Sequence, residues 1–474
     1  MVFMDITKQG TPKVLVAPGK QRNYNEIVEY LDKGWSIARH KSFERMKQLD
    51  KLLQFPSQKI PVLIIGGSNG KSLTAHLTAK LLKNEGLKAG VFLSPHLLSY
   101  NERFVINYEA ISNKNFVELA NEVINLVEHH KIVAHTSELL TAMMLRFCIE
   151  QKVDVAVFEA RDGAHDPINI CNAKVVAITR IIPTDSSSVG EETLRTHIKD
   201  VMGLVKQNSW VISGDQTKAH LIYMHELTVA QGGSWAMPIR KLATLAYPYE
   251  QLHGRCAALA ERIAQIFIEK FASKDVLSSD SLLNKQKGQR GRPTLEAKRL
   301  LEQNPKKTLE QFWREQGSDL PGRFQILDKD KPSVLLDMAS NLDALKNVLL
   351  GIRLVHYKRT VKGFALIMSC AQDSMDYQEY LKLMRYFFKK TSGTLFVCPL
   401  VSPLRGVHEE NSWDAEKVAI DLKGLKLKVR AASDFEEAFD LAKKSVDERN
   451  GLIAITGSRS LIQTYWHYKG IKKF

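Results

Sequence analysis

Short apolar runs bounded by polar or glycine-containing turns alternate along this chain with longer amphipathic stretches, the pattern of strands and helices in a parallel sheet. The first unit is strand, loop, helix. Ile60 to Gly66 is uninterrupted and β-rich, Gly67 to Lys71 is turn-forming, and Ser72 to Asn84 carries a helical pattern that stops at Gly86. Lys88 to Leu93 returns as a strand. Further strands are predicted at Val153 to Glu159, Lys174 to Ile181 and Trp210 to Ser213, separated by helices at Asn115 to His129, Ser137 to Gln151 and Glu192 to Lys206. A helix from His253 to Phe271 closes this half.

The composition then changes. Ser278 to Lys307 carries Ser, Gln, Gly, Pro and many Lys or Arg with few apolar positions, which is linker or insertion chemistry. From Leu320 the alternation restarts, with strands at Ser333 to Met338, Phe364 to Ser369 and Thr394 to Pro399, then near Leu427 and at Leu452 to Thr456. Helices fall at Asp343 to Val355, Tyr377 to Phe388 and Asp434 to Lys444. The expected architecture is α/β: a P-loop-type, doubly wound sheet domain at 23–275 after an N-terminal extension at 1–22, a basic linker or insertion at 276–320, and a smaller Rossmann-like α/β domain at 321–474. No repeat of fixed period is visible.

With 44% apolar and 25% charged residues over 474 positions, the chain has the composition of a multi-domain globular protein rather than a disordered one. No apolar run reaches the length of a membrane span and no signal-peptide pattern opens the chain, so a cytoplasmic protein is expected. Five scattered cysteines, none in a Cys-x-x-Cys spacing, read as reduced thiols. The net charge of +15 favours anionic ligands without choosing among nucleic acid, nucleotide and a polyanionic small molecule.

Candidate chemistry centres on Gly67-Ser68-Asn69-Gly70-Lys71-Ser72, placed after a buried strand and at the start of a helix. Glycines let backbone N–H groups approach phosphate oxygens, the helix dipole favours negative charge, and Lys71 reaches outer phosphates. Ile65 stands where the full spaced P-loop pattern has its first glycine, and a ligand-free strand-to-helix turn is the alternative reading. Glu159 ends a buried apolar strand on the edge where α/β sheets bind ligands, a costly place for an acid unless it meets a cation.

The loop resembles the Gly-Ser/Thr-Asn-Gly-Lys nucleotide loop of the Mur ligase superfamily. Ser94-Pro95-His96-Leu97 with Tyr100-Asn101-Glu102-Arg103 is similar to the signature of its folylpolyglutamate and dihydrofolate synthase branch, as are Ser137-Glu138, Thr141-Ala142, the strand ending in Glu159, and Pro321-Gly322-Arg323-Phe324-Gln325. This resemblance implies an ATP- and Mg2+-dependent ligase that joins L-glutamate to a folate or dihydropteroate carboxylate through an acyl phosphate, working as a monomer. It implies ATP contacts from Gly67 through Ser72, Arg323 and Asp337, metal ligands at Ser94, Glu159 and Asp185, with Lys71, Glu159 and Asp185 as the catalytic set, and acceptor contacts from His96, Asn101 and Arg103. From the residues alone, His96 and His253 read as packing groups, since neither has a ligand partner at helical spacing.

Several positions depart from the family pattern. Asp185 stands for a metal-binding histidine, and an aspartate oxygen suits magnesium. Val201 stands where the family has a carbamylated lysine, Ser340 where it has a histidine beside Asp337 and Asn341, and Cys256 where it has an asparagine. The glycine-rich turn after Glu159 becomes Ala160 to Asp166, in which Asp162, His165 and Asp166 are read as surface-loop residues. Two other readings therefore stand beside the ligase: a degenerate homologue that binds nucleotide, folate or a partner without turnover, and a Mur-type ligase with another acceptor. Arg290-Gly291-Arg292-Pro293, within the basic stretch 285–293, matches the core of an AT-hook; a solvated loop, or a cationic holder for a polyglutamate tail, is the preferred reading over a nucleic-acid contact.

Overall fold

The computed structural model describes residues 19–38, 42–182, 191–272, 282–283, 308–315, 320–369, 371, 374–400 and 412–474. Asp185 and the basic stretch 285–293 lie outside them.

Eight strands build the first sheet: β1 (Val62–Gly66), β2 (Ala89–Phe92), β3 (Phe104–Ile106), β4 (Glu109–Ala110), β5 (Val155–Glu159), β6 (Ala173–Ile178), β7 (Trp210–Ser213) and β8 (Ser234–Trp235). Their order is β4-β3-β2-β5-β1-β6-β7-β8. β2, β5, β1, β6, β7 and β8 run parallel, while at the edge β3 pairs antiparallel with β2 and β4 antiparallel with β3. Every residue of β1 and β5 is buried, as uninterrupted apolar strands covered on both faces should be. One face carries Ile64, Phe158 and Val176 under the helices Asn113–His129 and Thr136–Glu150; the other carries Ile65, Val157 and Val175 under Lys71–Asn84 and Tyr249–Phe271.

The second sheet contains β9 (Gln325–Leu327), β10 (Ser333–Leu336), β11 (Phe364–Met368), β12 (Thr394–Val397), β13 (Val429–Ala431) and β14 (Leu452–Thr456), in the order β13-β12-β11-β14-β10-β9. Only β9 is antiparallel to its neighbour. The doubly wound sheet and the smaller α/β sheet after it are both present.

Some expected boundaries move. The helix predicted to Lys206 ends at Met202, because Gly203 packs against Ala164 so closely that a Cβ would lie 2.4 Å from that residue's Cβ, and 203–206 become tight turns. The strand predicted to Ile181 ends at Ile178, since the next residues turn to pair with the loop after β1: the Ser68 N–H donates to the Arg180 carbonyl at 2.8 Å. Linker chemistry also fails to describe all of 276–320. The helix Leu309–Glu315 buries Phe312 and Trp313 in the first sheet's core, and the Trp313 indole N–H donates to Glu261 at 2.6 Å.

The two lobes share a seam. Leu97 and Leu98 leave the first lobe to pack with Leu336, Ile455 and Leu461 in the second lobe's core. Glu102 holds that excursion in shape by accepting the N–H groups of Leu97, Leu98 and Ser99 at 2.8, 2.7 and 2.6 Å. Burial raises the Glu102 pKa against those three donors.

Candidate active site

The loop after β1 needs glycine at both ends. Gly67 has φ +115°, and a Cβ there would sit 2.3 Å from Thr179 Oγ1; Gly70 has φ +88° and a Cβ would meet Cys256 Sγ at 2.9 Å. The helix Lys71–Asn84 starts directly behind, so its unpaired N–H groups face the loop's hollow. Lys71 Nζ donates to the carbonyls of Gly67 and Ser68 at 2.9 and 3.0 Å, folding the side chain back over the loop it would serve. Burial lowers its pKa, opposed by the nearby Glu159 carboxylate.

Glu159, 4% exposed at the end of β5, lies beside this loop because β5 is the neighbour of β1. Its Oε1 accepts from the Ser72 hydroxyl at 3.0 Å and its Oε2 from the Ser94 N–H at 3.1 Å. The Ser94 hydroxyl in turn accepts from Arg103 Nη1 at 3.1 Å, and Arg103 Nε donates to His96 Nδ1 at 2.9 Å. Arg103 is 4% exposed; desolvation, with Arg459 and Arg161 nearby, brings its pKa to about 10. Burial takes His96 well below the usual imidazole range, and its ring packs on Tyr100 with centroids 4.4 Å apart. His96 is therefore a neutral prop for Arg103. Asn101 is equally committed: its amide nitrogen donates to Ile111 O and Asn113 Oδ1, and its oxygen accepts from Tyr24. Among the acceptor candidates Arg103 keeps a free direction, facing with Ser94, Glu159, Trp35 and Arg161 a cavity of about 20 Å3, the scale of a water or an ion.

The second lobe closes the loop from above. Arg323 Nη2 donates to the Ser72 hydroxyl at 3.2 Å. Asn69 and Asn341 exchange amide hydrogen bonds at 2.9 and 3.1 Å, while Asn341 Oδ1 also caps the helix Leu342–Lys358 through Ala344 N–H at 2.9 Å. Asn69 reaches Asp343 as well, at 3.1 Å, and Arg180 forms an ion pair with the same carboxylate. Asp337, just past β10, accepts the Phe324 and Ala339 N–H groups at 2.7 and 2.8 Å; desolvation outweighs these bonds and the pull of Arg323, raising its pKa to about 6.

The altered positions divide by burial. Val201 is 4% exposed, with Cγ1 3.0 Å from where a Gly66 Cβ would stand, so it is core. Cys256 packs against Gly70, and burial raises its thiol pKa, leaving it uncharged beside the loop. Ser340 is exposed. Asp166 is not a surface residue: it is 8% exposed and accepts from the N–H groups of Arg161, Asp162 and Ile168, shaping the turn after Glu159. Burial raises its pKa too. His165 is exposed, as expected. Two further neighbours of the loop belong to no sequence motif. His197 Nε2 lies 3.4 Å from Ser68 Oγ, one helical turn before Val201, and the Arg180–Asp343 pair bridges the lobes; both arise from residues far apart in the chain.

No family model matches the chain. Over 238 residues it is 25% identical to folylpolyglutamate synthase of Lacticaseibacillus casei, a match that covers 49% of this chain and 55% of that protein. Similar matches to the dihydrofolate synthase/folylpolyglutamate synthase of Bacillus subtilis cover 46% and 48%. Over these stretches the chain is similar to folylpolyglutamate synthases and dihydrofolate synthase/folylpolyglutamate synthases. The chain spans about half the length of the curated relatives it matches. In fold, the likeness to solved folylpolyglutamate synthases extends over most of the chain. A folylpolyglutamate synthase of Mycobacterium tuberculosis complexed with ADP superimposes with a TM-score of 0.72, at 20% identity, over 94% of this chain and 98% of that one.

Proposed function

We propose that this protein is an ATP- and Mg2+-dependent ligase that adds L-glutamate to the carboxylate of a folate or dihydropteroate. The reading rests on the convergence of Lys71, Ser72, Ser94 and Glu159 at the C-terminal ends of β1, β2 and β5, with Arg323 joined to Ser72 from the opposite lobe. It is supported by the relatives' names and by a solved bifunctional folylpolyglutamate synthase/dihydrofolate synthase with Mn, AMPPNP and L-glutamate bound, whose fold matches with a TM-score of 0.69 at 18% identity, over 96% of this chain and all of that one.

The donor set fits magnesium. Among the described residues no three His, Cys, Asp or Glu side chains cluster as a metal cage. Glu159 and the hydroxyls of Ser94 and Ser72 are hard oxygen donors, and a single carboxylate with weaker oxygens suits an ion that keeps water and phosphate oxygens in its shell. Bound there, the ion would neutralise charge on the transferring phosphoryl group.

The chain's own residues do the rest. The loop amides and the helix N-terminus hold the nucleotide phosphates, and Lys71, swung away from Gly67 and Ser68, meets the outer ones. Arg323, carried on the second lobe, lays a second cation on the same phosphates when the lobes are closed. An oxygen of the acceptor carboxylate attacks the γ-phosphorus, ADP leaves, and an acyl phosphate forms; the glutamate amine then attacks the acyl carbon, phosphate departs, and the amine loses a proton. Arg103, steadied by His96, orients the acceptor carboxylate beside Ser94. We propose that the protein works as a monomer.

An acceptor labelled with oxygen-18 in its carboxylate tests this route. One labelled oxygen should appear in released phosphate for each amide formed; unlabelled phosphate alongside amide product would exclude the acyl phosphate.

A further inference from the structure

The second lobe has a cavity of 640 Å3 at the edge of its sheet remote from the nucleotide loop. It opens where β11 and β12 begin, at Phe364 and Thr394, and just before β13, at Lys428. Asp337 and Asn341, by contrast, follow the end of β10. Because β10 to β14 run parallel, these are opposite edges, separated by a strand length on the order of 15 Å. The volume falls within the range of small-ligand pockets, about 300–1,000 Å3.

The lining is cationic. Arg353, Lys390 and Lys428 line it with His356, and among the described residues no aspartate or glutamate does. Lysines in the last turn of a helix are ordinarily explained by its dipole, and Lys390 ends the helix Tyr377–Lys390. That account does not extend to Arg353, which stands five residues before the end of its helix, or to Lys428, which lies outside any helix. Three like charges around one concavity repel one another and concentrate anions there. Tyr357 adds an aromatic ring to the lining and is 90% exposed, and the Lys390 Nζ donates to the Tyr386 hydroxyl at 2.7 Å. His356 stands edge-on to Phe364, and its buried Nε2 has no hydrogen-bond partner among the described residues.

We propose that this cavity is a second ligand site, for a small polyanion bearing at least two phosphate or carboxylate groups. The three cations match separate anionic groups, and Tyr357 offers an aromatic face beside them. The inference is independent of the ligase reading, since it uses none of the residues around the nucleotide loop.

The test uses the full-length Lys71→Ala protein, so that the nucleotide loop does not compete for phosphate. Inorganic tripolyphosphate and tri-γ-glutamate are titrated separately by calorimetry, before and after adding Arg353→Glu and Lys428→Glu. At least one probe should bind saturably with one-to-one stoichiometry, and the double charge reversal should weaken it at least tenfold with the thermal transition preserved. Tripolyphosphate binding alone assigns a phosphorylated ligand, triglutamate alone an oligocarboxylate, and both the general polyanion. If the charge-reversed protein fails to fold, Arg353→Gln with Lys428→Gln should still weaken binding several-fold. Absence of saturable binding by both probes, or an affinity unchanged by the substitutions, overturns the proposal; the latter would place the anions on another basic surface of the chain.

Discussion

Two stretches flank the end of β1 and offer a nucleotide very different things. The loop Gly67 to Ser72 presents backbone N–H groups, a lysine and a hydroxyl already aligned on Glu159. The helix Glu191–Met202, on the other side, presents Val201, buried against Gly66, with His197 one turn earlier beside Ser68. The first is built from polar groups that retain lone pairs or protons for a ligand. The second has core packing where the resemblance implies a metal-binding lysine. The contrast separates holding ATP from turning it over, since an apolar side chain that fills space cannot be replaced by a ligand without moving its neighbours.

The comparison can be broken most directly at the loop. Lys71→Ala should lower ATP-dependent amide formation by about 10²-fold or more, the scale of removing one charge-stabilising group from a transition state. If turnover survives, the loop is not where the phosphates sit. Next comes the lobe contact. Arg323→Ala should cost roughly 10-fold or more in kcat/KM for ATP, consistent with losing one charge-assisted hydrogen bond, with Arg323→Lys recovering part of the loss. Equal activity in both variants would mean that the Ser72 contact serves only to pack the lobes.

The altered positions sharpen the contrast from the other side. Val201→Lys forces a long cation into a filled site and should destabilise the protein by about 1–3 kcal/mol in urea unfolding, without raising activity. Ser340→His, at an exposed position, should change stability by less than about 0.5 kcal/mol. A stable, more active Val201→Lys protein would show that the helix has room for the family's ligand after all.

The smallest effect is one of pH. Asp337 carries its proton to about pH 6 in the folded protein but to only 3.8 in its unperturbed state, so between these values the native state binds more protons than the unfolded one. Its stabilising contribution is complete below about pH 4 and is lost as pH rises through 6. Thermal stability should therefore fall over that interval more steeply in the parent protein than in Asp337→Ala. Parallel profiles would contradict a carboxyl held neutral by burial.

How far the sequence spoke depended on how local the signal was. β1, its loop and the following helix were legible from periodicity and two glycines, and β7 and β14 were located to the residue. The helices Tyr24–Gly34 and Ala415–Gly424 were not singled out, although Asn23 and Glu26 form a capping box ahead of the first. In the site, Glu159 could be placed from its strand end, whereas the reciprocal Asn69–Asn341 pair joins residues 272 positions apart. No spacing rule predicts such a contact. Asp166 escapes such rules for a related reason: its polar sequence context suggests solvent, but the carboxylate is buried and satisfied by three backbone N–H groups.

Coupling of ATP to amide formation in this cleft, despite the change at Val201, is tested by a coupled ADP-release assay with dihydropteroate, tetrahydrofolate and L-glutamate, run with and without magnesium. ADP release should require magnesium, glutamate and at least one of the two acceptors, with amide product in equal amount. Saturable ATP binding with no ADP release in every combination would contradict it and leave a nucleotide-binding protein without ligase activity.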